Sequence, residues 1–554
     1  MDHLGTILSV SLTLYALGMC IFLISENRRP QATLAWMLAF IFAPGIGALI
    51  YILFGRDWKA FSKQSRLLRQ DLEASARPFV SPLLSRQDAE IARLEGESTS
   101  HRKLMRLVRR NSQSALTTRN RVEILQDAAE FYPRMMEDMK AARHSIHLQY
   151  FIWGADAFTE RVKEILTAKA RAGVQVRLLY DPLGSHAHLS RAYIREMHAA
   201  GVRMVPTSPL YRLHTISYRN HRKITVIDGT IGYTGGMNIG QEHLDGGEGF
   251  DSWRDTQVRI VGEGAALLQA VFMVDWYNAV RENLFADAYF PSDATESTEG
   301  DLPVQILTSG PDSQWAAIRQ LYSFMIVSAQ RHVFLQSPYF ILDASIEEAL
   351  KSAALSGVDV KVMLSARPSG TKLPDWAGHT YMADAVTAGV HVFLYNKGYL
   401  HAKTISMDSA ICSIGSANID IRSFSINYEL NAVLYSERLA KELERDFERD
   451  LAHCTEFDAA AYKERTAALR FRDSVTRLFS PFLGGTAPDV GRACNSLAQS
   501  AQSQHRARHR AAQPIARAQA HRRERLLQSA WAPRRRELPR CARSASRALQ
   551  CTAG

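Results

Sequence analysis

The sequence predicts an α/β fold in which one unit, a mixed sheet covered by helices, is written twice behind a hairpin of two transmembrane helices. Three observations predict it. Strand and helix patterns alternate in the same order in residues 121–300 and 301–483, a set of polar residues recurs at equal spacing in both, and two uncharged stretches fill residues 1–55.

From Gly5 to Ser25 there are 21 residues without a charge, and from Pro30 to Gly55 there are 26. Each is long enough as a helix to cross a hydrocarbon core about 30 Å thick, so spans are expected at about 5–25 and 31–55. Only Met1, Asp2, His3 and Leu4 precede the first. The absence of a basic stretch there argues against a cleaved signal peptide. The link from Glu26 to Arg29 is short, which puts both ends of the hairpin on one side, and Pro44 with Gly45 predicts a kink in the second span. Arg28 and Arg29 lie in the link, whereas Arg56, Lys59, Lys63, Arg66 and Arg69 follow the second span. That excess places the large domain in the cytoplasm.

Residues 56–120 are charged, lack strand signals and carry Arg106, Arg109 and Arg110 together, which reads as a helical connector at the membrane surface. The first half then gives a strand pattern from Ser145 to Trp153, a helix from Thr159 to Ala172 and a strand from Val174 to Tyr180. His332 to Phe340, Ile346 to Ser356 and Val358 to Leu364 repeat that order. Gly173 pairs with Gly357, Gly201 with Gly389 and His221 with His401, at offsets of 184, 188 and 180 residues. Such a period exceeds that of solenoid repeats and implies a duplicated domain, with the two sheets expected to face each other.

The formal charge of +11 would suit a nucleic-acid binder if it lay on the folded body. It does not. Residues 484–554 hold fourteen Arg, no Lys and three acids, a net of +11, which leaves residues 1–483 at zero. This Arg- and Ala-rich tail has no sustained periodicity and is expected to be disordered. The six cysteines stand at 20, 412, 454, 494, 541 and 551 with no CxxC pair, so neither a zinc site nor a disulfide framework is expected.

The strongest signal is NHRKITVIDGTIGYTGGMNIG in the first half and LHAKTISMDSAICSIGSANID in the second. These give His221, Lys223, Asp228, Gly235, Gly236 and Asn238, then His401, Lys403, Asp408, Gly415, Ser416 and Asn418, with 17 residues from His to Asn in both. Side chains at i and i+2 of a strand share a face, so an imidazole and an ammonium group point into one space suited to an anion. A Gly-Gly or Gly-Ser turn lets backbone approach a phosphoryl group, and the Asn two residues on can donate to it. Asp228 and Asp408 are expected to orient an imidazole and fix its tautomer rather than to bind metal. Asp255 and Glu429 are expected to support the histidines from behind. His144, His147 and His391 read as packing or surface residues. Tyr150, Phe151, Trp153, Tyr339 and Phe340 read as core.

The paired HxKxxxxD motifs resemble those of the phospholipase D superfamily over about residues 121–483. RNHRKITVIDGTIGYTGGMNIG, SWRDTQVRIVG and IGSANIDIRSFSINYEL resemble bacterial cardiolipin synthases in particular, as does NRRPQATLAWMLAFIFAPGIGALIYILFGR. Synthases of this type usually stop near a sequence like RLFSPFL, here Arg477 to Leu483, so residues 484–554 depart from the pattern.

The resemblance implies phospholipase D-like halves, a bacterial inner-membrane location, and phosphatidylglycerol within anionic membrane lipid as partner. It also implies transfer of a phosphatidyl group without metal or cofactor. His221 would attack phosphorus to form a phosphohistidine, and His401 would protonate the departing glycerol and then deprotonate the incoming hydroxyl of a second phosphatidylglycerol. Lys223, Lys403, Asn238 and Asn418 would stabilise phosphoryl charge. No GxxxxGK[ST] or GxGxxG loop occurs, consistent with exchange of one diester for another without nucleotide. Three rival readings differ in what they need. A lipid-hydrolysing phospholipase D would use water as acceptor, a nuclease would need a basic stripe that the neutral body lacks, and a scaffold would not need two intact motifs.

Overall fold

The computed structural model describes residues 2–26, 30–51, 62–93, 99–186, 188–208, 217–247, 249–291 and 300–483, so the tail 484–554 lies outside the described residues. The first uncharged stretch forms one helix, Asp2–Ser25. The second is interrupted where Pro44 and Gly45 predict a kink. It breaks into helices Pro30–Phe42 and Pro44–Ile50, because a proline lacks the N–H that would bond one turn back and its ring crowds the carbonyl there. Among the described residues no helix is long and apolar enough to cross a membrane. The arms pack on each other through Leu23, Phe40 and Tyr51, with the Tyr15 and Phe40 rings edge to face at 6.4 Å.

Helices Ser62–Arg93 and Thr99–Ser112 follow, and they are built into the body. Leu104, Met105 and Val108 are buried in the core of the second half, and Arg86 pairs with the buried Glu263 at 2.7 Å. The connector is also not wholly helical, as a short strand, Leu116–Thr117, pairs antiparallel with Val304 and Gln305.

Each half carries a mixed sheet of the same order. In the first it runs Asn120–Gln126, Thr256–Gly262, Ile231–Gly235, Ile224–Ile227, Ser145–Tyr150, Gln175–Tyr180, Arg203–Pro206. In the second it runs Val304–Ser309, Glu429–Leu434, Ile411–Gly415, Thr404–Met407, His332–Gln336, Asp359–Ser365, His391–Tyr395, with Leu116–Thr117 and Cys454–Glu456 added at the edges. Ser145–Tyr150 and His332–Gln336 each pair parallel on one side and antiparallel on the other. Every residue of Ser145–Tyr150 is buried, as expected of a central strand covered on both faces.

The crossover helices are cut at matched points. Asp156 caps Ala157–Arg171 through a capping box with Thr159, and Asp343 caps Ala344–Leu355. Gly173 and Gly357 then stand at φ +91° and +92°, a left-handed turn that glycine adopts without cost, which explains why this pair persists in both copies. The two sheets meet in one core: Val122, Ile224, Val258 and Ile260 of the first half pack with Ile306, Ile414, Leu430 and Leu434 of the second.

Candidate active site

His221 and His401 precede equivalent inner strands, Ile224–Ile227 and Thr404–Met407. Each is stitched to the opposite half. The His221 N–H donates to the Tyr428 carbonyl at 2.9 Å, and the His401 N–H donates to the Arg254 carbonyl at 2.7 Å. The next residue in each case is a carboxylate. Glu429 Oε2 lies 3.0 Å from His221 Nδ1, and Asp255 Oδ2 lies 2.6 Å from His401 Nδ1. Each imidazole is therefore held by the other half, with Nδ1 engaged and Nε2 left for chemistry.

The small pairs have a different use from the one the sequence suggested. A side chain at Gly236 would collide with the Asp255 carboxylate, and Ser416, the equivalent residue, donates to Glu429 Oε2 at 2.5 Å. These positions are small to admit a carboxylate. Their peptide N–H groups are occupied as well, bonding the carbonyls of Thr256 and Leu430.

Both lysines are buried, and each Nζ donates to the carbonyl of its own histidine, Lys223 at 2.7 Å. Burial pushes Lys223 down to about 7 and Lys403 down to about 8. Burial also lowers His221, against the pull of Glu429, and lowers His401 further, with Lys403 and Lys223 adding to the effect. It raises Asp255 as well, whose Oδ2 stands in the short contact with His401 Nδ1. Burial would raise Glu429 too, but His221, Lys223 and Ser416 outweigh it and hold that carboxyl low. An anionic phosphodiester would restore the positive charge that burial has made unfavourable here.

The two asparagines are not equivalent. Asn238 Oδ1 accepts from the Ile152 N–H at 3.2 Å, whereas Asn418 Nδ2 donates to Asp420 at 3.3 Å and leaves its buried Oδ1 unpaired among the described residues. Asp228 and Asp408 correct the expectation made for them. The Asp228 carboxylate accepts from the N–H groups of Arg143, His144 and Ser145 at 2.7–2.8 Å, and Asp408 accepts from those of Gln330, Arg331 and His332 at 2.8–3.0 Å. Neither touches an imidazole. A four-residue strand, about 13 Å at 3.3 Å per residue, separates each from its lysine, so the shared motif places them at the far end.

Aromatic rings also flank the two histidines, Phe151, read from the sequence as core, among them. The Phe151 ring lies 5.1 Å from His221, and Tyr399 and Trp253 lie 5.7 Å and 5.4 Å from His401. Behind His221, Arg222 makes a two-pronged ion pair with Asp275 at 2.8–2.9 Å and donates to the Glu429 carbonyl. A repeat comparison could not have found this pair, because Ala402 occupies the matching position. His147 is buried against Gln269, while His391 is exposed and pairs with Glu456.

The family described as "Cardiolipin synthase, PLD-like domain" matches residues 135–268 and 322–451, and the one described as "Phospholipase_D-nuclease N-terminal" matches residues 11–56. A cardiolipin synthase of Geobacillus kaustophilus is 40% identical over 461 residues, covering 83% of this chain and 90% of that protein. The major cardiolipin synthase of Bacillus subtilis is 36% identical over 494 residues, covering 86% of this chain and 99% of its own length. Among solved structures, the phosphatidylserine synthase of Haemophilus influenzae superposes with a TM-score of 0.52 at 15% identity, over 69% of this chain and all of that one. That last likeness is one of fold.

Proposed function

The chain belongs to the cardiolipin synthases of the phospholipase D superfamily, and on that premise we propose that it converts two phosphatidylglycerol molecules to cardiolipin and glycerol through a phosphohistidine. One observation carries the reading: two buried imidazoles, each two residues before a buried lysine, are each tied at Nδ1 by a carboxylate from the other half. His221 Nε2 attacks the phosphorus of the first lipid, and the P–O bond to the headgroup breaks as His401 delivers a proton to the leaving glycerol oxygen. His401 then takes the proton from a hydroxyl of the second lipid, whose oxygen displaces His221 from phosphorus. One diester is lost and one formed, so no external energy source enters. Lys223 and Lys403 balance the phosphoryl charge, with Asn238 and Asn418 as further polar contacts. His401 is 9% exposed against 2% for His221, which favours His401 as the group on the side where headgroups exchange.

The protein is membrane-associated, and we further propose that residues 1–55 form a two-pass hairpin leaving the catalytic halves, residues 121–300 and 301–483, in the cytoplasm. The five basic residues after Gly55 support that orientation. Labelling of an added cysteine in the catalytic body by an impermeant reagent on intact cells would overturn it.

The deciding experiment incubates the purified protein in detergent with phosphatidylglycerol and EDTA and follows cardiolipin, phosphatidic acid and glycerol. Cardiolipin and glycerol in equal amounts, lost in His221→Ala and His401→Ala, is the expected result. Phosphatidic acid alone would make the protein a hydrolase.

A further inference from the structure

His243 is a third buried imidazole beside the site, and neither HxKxxxxD motif contains it. It lies on the short helix Glu242–Asp245, five residues after Asn238. That helix is fixed from outside: the Gly240 N–H donates to Tyr132 Oη at 3.2 Å, and the Gln241 N–H donates to Asp156 Oδ2 at 2.7 Å. The ring is 2% exposed, 4.7 Å from the Trp253 ring and 6.2 Å from His401. Both of its nitrogens are buried without a hydrogen-bond partner among the described residues, and so is Trp253 Nε1. Enclosed polar atoms carry a desolvation cost that a bound partner would relieve.

We propose that His243 and Trp253 form a headgroup subsite beside His401 that takes the hydroxyl groups of a neutral polyol, glycerol in both the leaving and the accepting lipid. The assignment rests on the transferase reading given above. The two catalytic carboxylates are already committed to imidazoles, so hydroxyl partners must come from other groups. Burial, together with His401, keeps His243 neutral by pushing it down to about 3. A neutral imidazole offers one donor and one acceptor, and an indole N–H offers one more donor. Hydroxyls both donate and accept, so a vicinal diol can satisfy all three. An ammonium headgroup donates only, leaves the indole unpaired, and meets the positive field of Lys403 and Lys223. The subsite thus prefers phosphatidylglycerol to phosphatidylethanolamine as the lipid whose headgroup leaves, the acceptor being in either case a lipid that carries a free hydroxyl.

The test uses the full-length protein in detergent micelles with sub-saturating phosphatidylglycerol and reads the ratio of cardiolipin to phosphatidic acid, not total turnover. His243→Phe and Trp253→Phe should each lower that ratio about 10-fold, the size of one lost hydrogen bond, with recovery at saturating lipid. His243→Gln, which keeps a donor and an acceptor, should restore it to within about threefold of the unaltered protein. An unchanged ratio in both Phe variants, or a Gln variant no better than Phe, overturns the subsite. Should His243→Phe fail to fold, the Trp253→Phe ratio decides alone. An unaltered protein that makes no cardiolipin is a different outcome, which sinks the transferase reading itself.

Discussion

At the residue scale the site works by crossing. Because Asp255 holds His401 and Glu429 holds His221, each carboxylate should control one chemical role. Replacing Glu429 with Gln should cost about 10²–10⁴ in kcat, by misorienting the nucleophile and favouring the wrong tautomer. Asp255→Asn should cost a similar factor with phosphatidylglycerol, yet much less with a phosphatidyl-p-nitrophenol donor, whose leaving group needs no acid. Equal losses with both donors would remove His401 from the acid role. The lysines predict the pH profile. As pH rises through about 7 and about 8 the free enzyme loses the charges that hold the phosphodiester, so kcat/KM should fall. Stability should move the other way. Their folded values lie below the ordinary 10.5, the unfolded chain binds more protons between those limits, and these two groups add stability as pH rises from about 7 toward 10.5. A melting temperature measured alongside the rate separates the two effects. The His, Lys and Asn positions were legible because they are written twice at one spacing. His243 was not, because a lone histidine among 18 carries no spacing signal.

At the scale of elements, sequence pattern located two strands and the crossover helix between them in each half to within a few residues, since hydrophobic period and capping residues are local properties. It failed where an outcome depends on what lies across space. Asp228 and Asp408 shared a motif with the histidines, and the intervening strand carried them to the other end of the sheet. There each holds the peptide N–H groups that open the neighbouring central strand, from a positive φ of +52° and +54°. Asp228→Ala or Asp408→Ala should therefore cost stability, roughly 2–3 kcal/mol for three partly exposed N–H groups left without an acceptor. A thermal melt checks this. The rate per folded molecule at a temperature well below the melt should stay within about threefold, and Asn should recover part of the stability because its Oδ1 can still accept. A loss of rate with an unchanged melt would return these aspartates to the reaction. The second uncharged stretch is the opposite case: Pro44 is a local signal for a kink, and the stretch divides into two helices at that residue.

At the scale of the molecule, a shared core and crossed carboxylates join the two halves. The sheets share an apolar core that includes Ile224, Ile260, Ile414 and Leu430, and that surface would be open to water on either half alone. The catalytic logic divides along the same seam, since a separated first half would carry His221 without Glu429 and a separated second half His401 without Asp255. The repeat was legible in sequence. The crossing was not, because no pattern along a chain says which carboxylate faces which imidazole. A chain cut between residues 292 and 299, with both pieces expressed together, should reassemble through the shared core and make cardiolipin, whereas each piece alone should make none. Introducing Glu429→Gln into the second piece should then slow phosphohistidine formation on the first by about the same 10²–10⁴ as in the uncut chain. Phosphoenzyme labelled at the unaltered rate in that mixture would mean that His221 does not depend on its partner half, and that the two motifs are joined by proximity without being joined by chemistry.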